Sequence, residues 1–565
     1  MHPRARLVVI LSSLVLTVCA ALTWGSAQGA TGRATAPQAA TAPAAGVGVT
    51  TTPGLPEQAT SDLYAVDVDG KRPTVYRSAP KERTCSSANC DGGDRARADR
   101  RSFNWASFRF GGANRPVVTV TKRPSAAGVP TDIRVRGTGR HTVLEKDLDR
   151  RRIRIRVEQP DAKLSVEFLD SRYVTDRQFP LDAMLLFADN AAPALPAPSR
   201  SAPGTYVVPA RASLDRRRAA SAETVVFARG VHDLGYWEVP ESVRRVHLAP
   251  GAYVRGAVDA ATPAKARQKG FTVTGWGVLS GERFDWRADK RTGGTTSCSY
   301  DCWDHTVKMV QLGTDGFRLH DVTVVNAPHW TISGHRDDQI TAVADDESRF
   351  GGTVEGVKVL GNWGWNGDGI PALPGTTISN CFISAFDDAV KLYSSRATVR
   401  DNTLWQMDNG AVFQLGWYGK TLSDITVSDN TVLHAEWTGT NSNWGLLNYQ
   451  ENGGSGTISD VTVSGTRVLG PVTRIVALSN ETVPQSFRNI RLENTTVDRL
   501  FTTAEIQRLS GNGDKRLPRN LVHQSRAPLQ LTVSDLRIGG TRITGNNAAG
   551  PGGFSLRGAP ALAFE

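Results

Sequence analysis

Two short runs near the middle of the chain carry the residues best suited to do chemistry. Trp365-Asn366-Gly367-Asp368-Gly369-Ile370 sets one acid between glycines, and nineteen residues later Ala385-Phe386-Asp387-Asp388-Ala389-Val390-Lys391 sets two more in an apolar strand. Adjacent acids flanked by Phe386 and Val390 are costly to bury without a role. If the runs lie on neighbouring coils of stacked strands, Asp368 and Asp387 become vertical neighbours at about the 4.7–4.9 Å strand spacing. A local bend that turns both members of the pair outward then puts Asp388 on the diagonal, about 7–8 Å from Asp368. Three such carboxylates drive one another's pKa values apart, so that one keeps its proton near neutrality. An acid to protonate a leaving oxygen and a base to activate water are what glycoside hydrolysis requires. Single acids at strand corners, Asp401 and Asp429 among them, are assigned the plainer task of bonding turn amides.

That geometry needs a scaffold that stacks strands in register. After about Thr224 the sequence consists of strand-sized β-branched segments ended by Gly, Asn or Asp. Aligned with one another, they put Asn326, Gly361, Asn380, Asp401, Asp429, Gly465, Asn494 and Gly540 in one column, at spacings of 35, 19, 21, 28, 36, 29 and 46. A unit of strand, corner and strand buries its inner face only against the next unit, so the pattern predicts a right-handed parallel β-helix over 216–565. A second sandwich would alternate more cleanly and would not repeat its corners. Ahead of it, over 61–215, the pattern has period two. Val118 and Val120 alternate with Thr, Ile153, Ile155 and Val157 with Arg, and Leu164, Val166 and Phe168 with polar residues. This predicts an amino-terminal β-sandwich and an all-β chain.

Residues 1–29 run from Arg4 and Arg6 through the apolar Leu7–Leu22 to small residues, the order of a cleaved secretory signal peptide. Val18 is bulky where a lipoprotein anchor at Cys19 wants a small residue. No later stretch approaches the roughly 18 apolar residues of a membrane span, so a secreted, extracellular monomer is expected. Residues 30–60, rich in Ala, Thr and Pro, are expected to be a flexible linker. Cys85 with Cys90, and Cys298 with Cys302, are each expected to staple one loop; Cys381 is expected to be a buried thiol, and no zinc set is present.

The formal charge of +11 invites a nucleic-acid reading, but the charge is unevenly placed. Between Asp301 and Asp460 there are 9 Lys/Arg against 20 Asp/Glu, and elsewhere 57 against 35. An acidic middle repels a polyanion, which argues against nucleic acid as substrate. Eight of the 13 Trp fall between Trp303 and Trp444, and Trp365, Trp417 and Trp444 are expected to stack on sugar rings. The runs Asp337-Asp338 and Asp345-Asp346-Glu347 are taken as solvated loops rather than calcium sites, and no cofactor is required.

The two acidic runs, their separation, and Ala411-Val412-Phe413-Gln414-Leu415-Gly416-Trp417 together resemble glycoside hydrolase family 49, the dextranase and isopullulanase family. The resemblance extends from about residue 60 to 565. It implies a β-sandwich joined to a right-handed β-helix, with Asp387 as general acid and Asp368 and Asp388 holding and deprotonating water in an inverting mechanism. Asn366, Lys391 and Gln414, within these runs, and Tyr393, just beyond the second, are expected to contact sugar beside the three tryptophans. Inverting sites hold carboxyl groups about 6.5–9.5 Å apart, compatible with the diagonal placement of Asp388. The related pectin-degrading β-helices carry Gly-His-Gly and Arg-Ile-Lys downstream, the latter to grip a uronate. Here those stretches read Gln414-Leu415-Gly416 and Arg474-Ile475-Val476, so a neutral α-glucan is expected. Endo-cleavage of the α-1,6 bonds of dextran is favoured as the commoner type, with α-1,4 cleavage of pullulan left open. The competing class is a non-catalytic polysaccharide-binding β-helix whose carboxylates only accept hydrogen bonds from hydroxyls.

Overall fold

The computed structural model describes residues 49–52, 59–81, 99–193, 195–262, 268–298, 305–334, 350–437, 443–509 and 519–565. The expected leader over 1–29, most of the linker and the acidic runs at 337–338 and 345–347 lie outside the described residues. No described helix is long and apolar enough to cross a membrane.

Strands between Thr50 and Asn190 form two sheets around one core, with a separate two-stranded pair of Tyr173–Val174 and Phe179–Pro180. One holds Tyr64–Val68, Val117–Lys122, Arg152–Val157 and His141–Asp147, all antiparallel; the other is built around Ser102–Phe110, Asp182–Asn190 and Ala162–Phe168. Val118, Val120, Ile153, Ile155 and Val157 fill the space between them, as their period dictates, while Arg154 and Arg156 face solvent. Leu164, Val166 and Phe168 join the same core. The alternation there nevertheless misleads, because Lys163, Ser165 and Glu167 on the opposite face are buried as well. That face packs on the parallel coils: Lys163 donates to Asn380 Oδ1, and Glu167 Oε1 lies 2.8 Å from His434 Nε2. Phe103, Trp105 and Phe187 interleave with Phe382, Trp405 and Leu433 across this junction.

From Thr205–Val208 onward the chain stacks into three sheets of thirteen, fourteen and seven strands, parallel but for the closing pair Arg537–Ile538 and Thr541–Arg542, the right-handed parallel β-helix that the repeat predicts. Strands of the first sheet lead into the second through one residue per coil with positive φ: Asp321, Gly356, Asn380, Asp401, Asp429, Gly465, Asn494 and Asp535, all between 46° and 64°. The left-handed region is open to Gly and tolerated by Asn and Asp, which explains the three residue types in the column. Each corner amide donates to the carbonyl before the next corner, as Asp401 N–H does to Ser428 at 3.2 Å.

This column corrects the alignment read from sequence. Asn326 and Gly361 lie five residues beyond the corners Asp321 and Gly356, at the far end of the strand that follows, and Gly540 lies beyond Asp535. Those residues also have positive φ and also follow β-branched strands, so the pattern slipped by one strand. The interval from Gly356 to Asn380 is 24, and the spacing of 19 that matched Asp368 to Asp387 belongs to no coil.

Candidate active site

The third sheet positions the acids. Its strands Ile370–Pro371, Val390–Lys391, Phe413–Gln414 and Leu447–Asn448 pair in parallel. Alternation sends Ile370, Val390, Phe413 and Leu447 into the core and leaves Pro371, Lys391, Gln414 and Asn448 on the other face. Ile370 pairs with Val390, an offset of twenty residues, so Asp368 is level with Asp388 rather than with Asp387. Gly369 N–H donates to the Asp388 carbonyl at 2.9 Å in keeping with that register. The diagonal assigned to Asp388 is therefore wrong: it is the vertical neighbour, and Asp387 arrives beside both through a bend. In that bend the amides of Phe386 and Asp387 share the Gly367 carbonyl at 3.1 and 3.3 Å. One oxygen of each carboxylate lies within 4.8 Å of the others, and all three residues are buried.

Each carboxylate is held differently. Asp387 accepts from Asn366 N–H at 3.0 Å and Asn409 Nδ2 at 2.8 Å on one oxygen, and from Asp388 N–H at 3.0 Å on the other. Asp388 accepts from Ala411 N–H and Asn443 Nδ2, both at 3.0 Å, on Oδ1; Trp417 Nε1 at 3.3 Å and the Tyr393 hydroxyl at 3.5 Å reach Oδ2. Asp368 Oδ2 pairs with the Lys391 ammonium, while its Oδ1 is buried without a partner among the described residues.

Burial raises all three above the usual carboxylate range. Asp368 stands well above it, with Lys391 pulling down and the charges of Asp387 and Asp388 pushing further up. Asp387 is raised by burial although the hydrogen bonds it accepts favour the ionised form. Asp388 is pushed up to about 6, by burial first and by Asp387 second. Among the described residues this is the one cluster of ligand-type side chains close enough to share a cation, and the Lys391 ammonium already stands against it.

The residues expected to contact sugar divide into three groups. Trp365 is 49% exposed and its carbonyl accepts from Trp286 Nε1, so its ring is available to a ligand. Asn366, Tyr393 and Trp417 are half-buried and bond the acids themselves. Gln414, Trp444 and Lys391 are corrected. Gln414 is fully buried, accepting from Asn448 Nδ2 at 2.8 Å and donating to the Gly416 carbonyl at 3.1 Å. Trp444 belongs to the helix core, as does Trp437 outside the stacking set, and Trp405 packs in the sandwich–helix junction, so much of the tryptophan enrichment is packing. Lys391 is buried against Asp368. Arg474 is also buried, donating to the Arg519 and Trp444 carbonyls rather than offering itself to a uronate.

Sequence reasoning missed Asn409, Gly410 and Asn443. Asn409-Gly410 is a turn dipeptide that could have flagged the loop over Asp387. Asn443, held in turn by Asn448 Nδ2 at 3.0 Å, follows no periodic pattern. Cys85, Cys90 and Cys302 lie outside the described residues, leaving Cys298 as the described member of the expected pairs; Cys381 is a buried free thiol.

No family model matches the chain. A dextranase of Arthrobacter globiformis is 30% identical over 53% of this chain and 44% of its own length, and one of Arthrobacter sp. (strain CB-8) is 28% identical over 73% and 65%. The chain thus spans less than two thirds of either relative. An isopullulanase of Aspergillus niger is 26% identical over 79% of this chain and 80% of its own. Among solved structures, Dex49A from Penicillium minioluteum superposes with a TM-score of 0.72 at 22% identity, covering 91% of this chain and 96% of that one, a likeness of fold. The chain is thus similar to dextranases and an isopullulanase, in line with its motif resemblance to glycoside hydrolase family 49, and it shares the Dex49A fold.

Proposed function

We propose that the chain is an exported, endo-acting glycoside hydrolase that cuts the α-1,6 bonds of dextran in a single inverting displacement. The observation that carries this reading is the buried trio with its oxygens within 4.8 Å. Two hydrogen bonds of about 2.8 Å meeting at a tetrahedral water span about 4.6 Å, so the level pair Asp368 and Asp388 can hold one water between them. Asp368 Oδ1, buried and unpartnered among the described residues, is the acceptor that water meets. Asp387, raised by burial, donates its proton to the glycosidic oxygen, a transfer that contributes about 10²–10⁴-fold. Water attacking opposite the departing oxygen inverts the centre, so an α-glucan releases the β-anomer first. The anomer formed first is the deciding test of inversion.

The dextranase relatives and the acidic middle support a neutral glucan with α-1,6 links. The isopullulanase relative supports α-1,4 cleavage of pullulan as the second reading. Export rests on the order of Arg4, Arg6 and the run Leu7–Leu22. Incubating the protein with dextran, pullulan and polygalacturonate and sizing the products should give short oligosaccharides from dextran, with the β-anomer first by NMR. No depolymerisation of either α-glucan refutes the enzyme; dextran bound without turnover, unchanged by Asp387→Asn, assigns a binding module instead.

A further inference from the structure

Lys391 lies within the Asp-Asp-Ala-Val-Lys run and, from sequence alone, is a sugar contact. Its environment argues otherwise. Val390 and Leu392 point into the core, and Lys391 between them projects to the face that carries the acids. Its side chain is only 10% exposed. The ammonium pairs with Asp368 Oδ2 and lies 3.6 Å from the centre of the Trp330 ring, with the Tyr393 ring 5.7 Å away on another side. Between an indole face, a phenol and a carboxylate, little of this cation is left for a hydroxyl. Among the described residues it is also the one partner of the Asp368 carboxylate, whereas Asp387 and Asp388 are each held by several neutral donors.

Resting on the proposed hydrolase reading, we infer that Lys391 is a positioning residue: paired with Asp368, it draws that carboxyl toward its ionised form against burial and so biases the shared proton of the trio toward Asp387. The logic is electrostatic. Three buried carboxylates cannot all ionise against one another, so one proton is shared, and a cation touching one member weakens that member's hold on it. The water-holding pair then keeps its charge while the leaving-group acid keeps its proton. The ionisable groups about Lys391 are Asp368, Asp387, Asp388, Tyr393, Lys308 on the same Trp330 ring, Lys420 on the same Tyr393 ring and, beside Trp330, His329, whose ring burial holds neutral.

Lys391→Met and Lys391→Arg, both checked for fold by circular dichroism, test this. In Lys391→Met the kcat for dextran should fall about 10²-fold while KM stays within about threefold, and the alkaline limb of the kcat profile should move up by about one to three pH units. Lys391→Arg should restore the limb. If Lys391→Met does not fold, the double variant Asp368→Asn/Lys391→Met, which removes both charges, should fold; its failure would also overturn the pairing. A tenfold rise in KM with kcat and limb unchanged would make Lys391 a sugar contact and overturn the inference. Should wild type hydrolyse nothing, the hydrolase reading falls by itself. The inference is then judged by a carboxyl titration followed by NMR of ¹³C-aspartate protein without substrate. One aspartate must titrate about one to three pH units higher in Lys391→Met than in wild type, and an unmoved set of titrations refutes it.

Discussion

Gly410 is a position where one added methyl should cost activity out of proportion to its size. It follows Asn409, which bonds Asp387, and precedes Ala411, whose amide holds Asp388. Its φ is +73°, and a Cβ built there would lie 2.3 Å from Asp388 N, 2.4 Å from the Asp387 carbonyl carbon and 2.8 Å from Asp387 Oδ1. Ordinary carbon contacts begin near 3.5 Å, so Gly410→Ala must separate this turn from the Asp387–Asp388 backbone by about 1 Å. The left-handed conformation adds roughly 1–2 kcal/mol for alanine. Displacement of catalytic groups by about 1 Å costs about 10²-fold in rate. The control is Gly540→Ala: φ is +79° but nothing lies within 4 Å, so it bears the conformational cost alone. Thermal melts and dextran hydrolysis should show both variants destabilised, with kcat falling about 10²-fold in Gly410→Ala and staying near wild type in Gly540→Ala. A Gly410→Ala enzyme within threefold of wild type would refute the claim that this turn fixes the trio.

Arg101→Met should lower stability by about 3–5 kcal/mol in denaturant melts, since it strands Glu436, which the guanidinium grips at 2.5 and 2.6 Å across the sandwich–helix junction; a loss under 1 kcal/mol would mean the junction does not need the pair. Asp388→Asn should gain on wild type as pH rises. The folded pKa of about 6 stands above the ordinary 3.8, so the stabilising contribution is whole below pH 3.8 and is lost as pH rises through 6. The stability gap should move about 2 kcal/mol in the variant's favour between pH 4.5 and 8, and a constant gap refutes the shift. Trp365→Ala should raise KM for dextran about two- to tenfold with kcat near wild type, as loss of an exposed stacking ring would; an unchanged KM removes Trp365 from the sugar path.

What the sequence made legible follows from what physics writes locally. Inner strand faces must be apolar and corners must tolerate positive φ, so the coils and five of the eight corner residues could be read directly. The alignment slipped at Asn326, Gly361 and Gly540 because one coil holds more than one such turn, and a left-handed residue does not say which corner it turns. Asp368, Asp387 and Asp388 stood out because uncompensated acids in an apolar strand are rare. Their relative heights did not, since register is set by the Ile370–Val390 pairing and not by counting along the chain. Lys163 and Glu167 read as solvent-facing because alternation reports only one covered face, and the second cover, the parallel coils, comes from Asn380 and His434 over two hundred residues away. The same limit hid Asn443. An amide that supports a carboxylate from a distant loop has no period and no motif, and what selects it is the hydrogen bond it must supply to Asp388 in a buried site where an unmet acceptor costs about 1–3 kcal/mol.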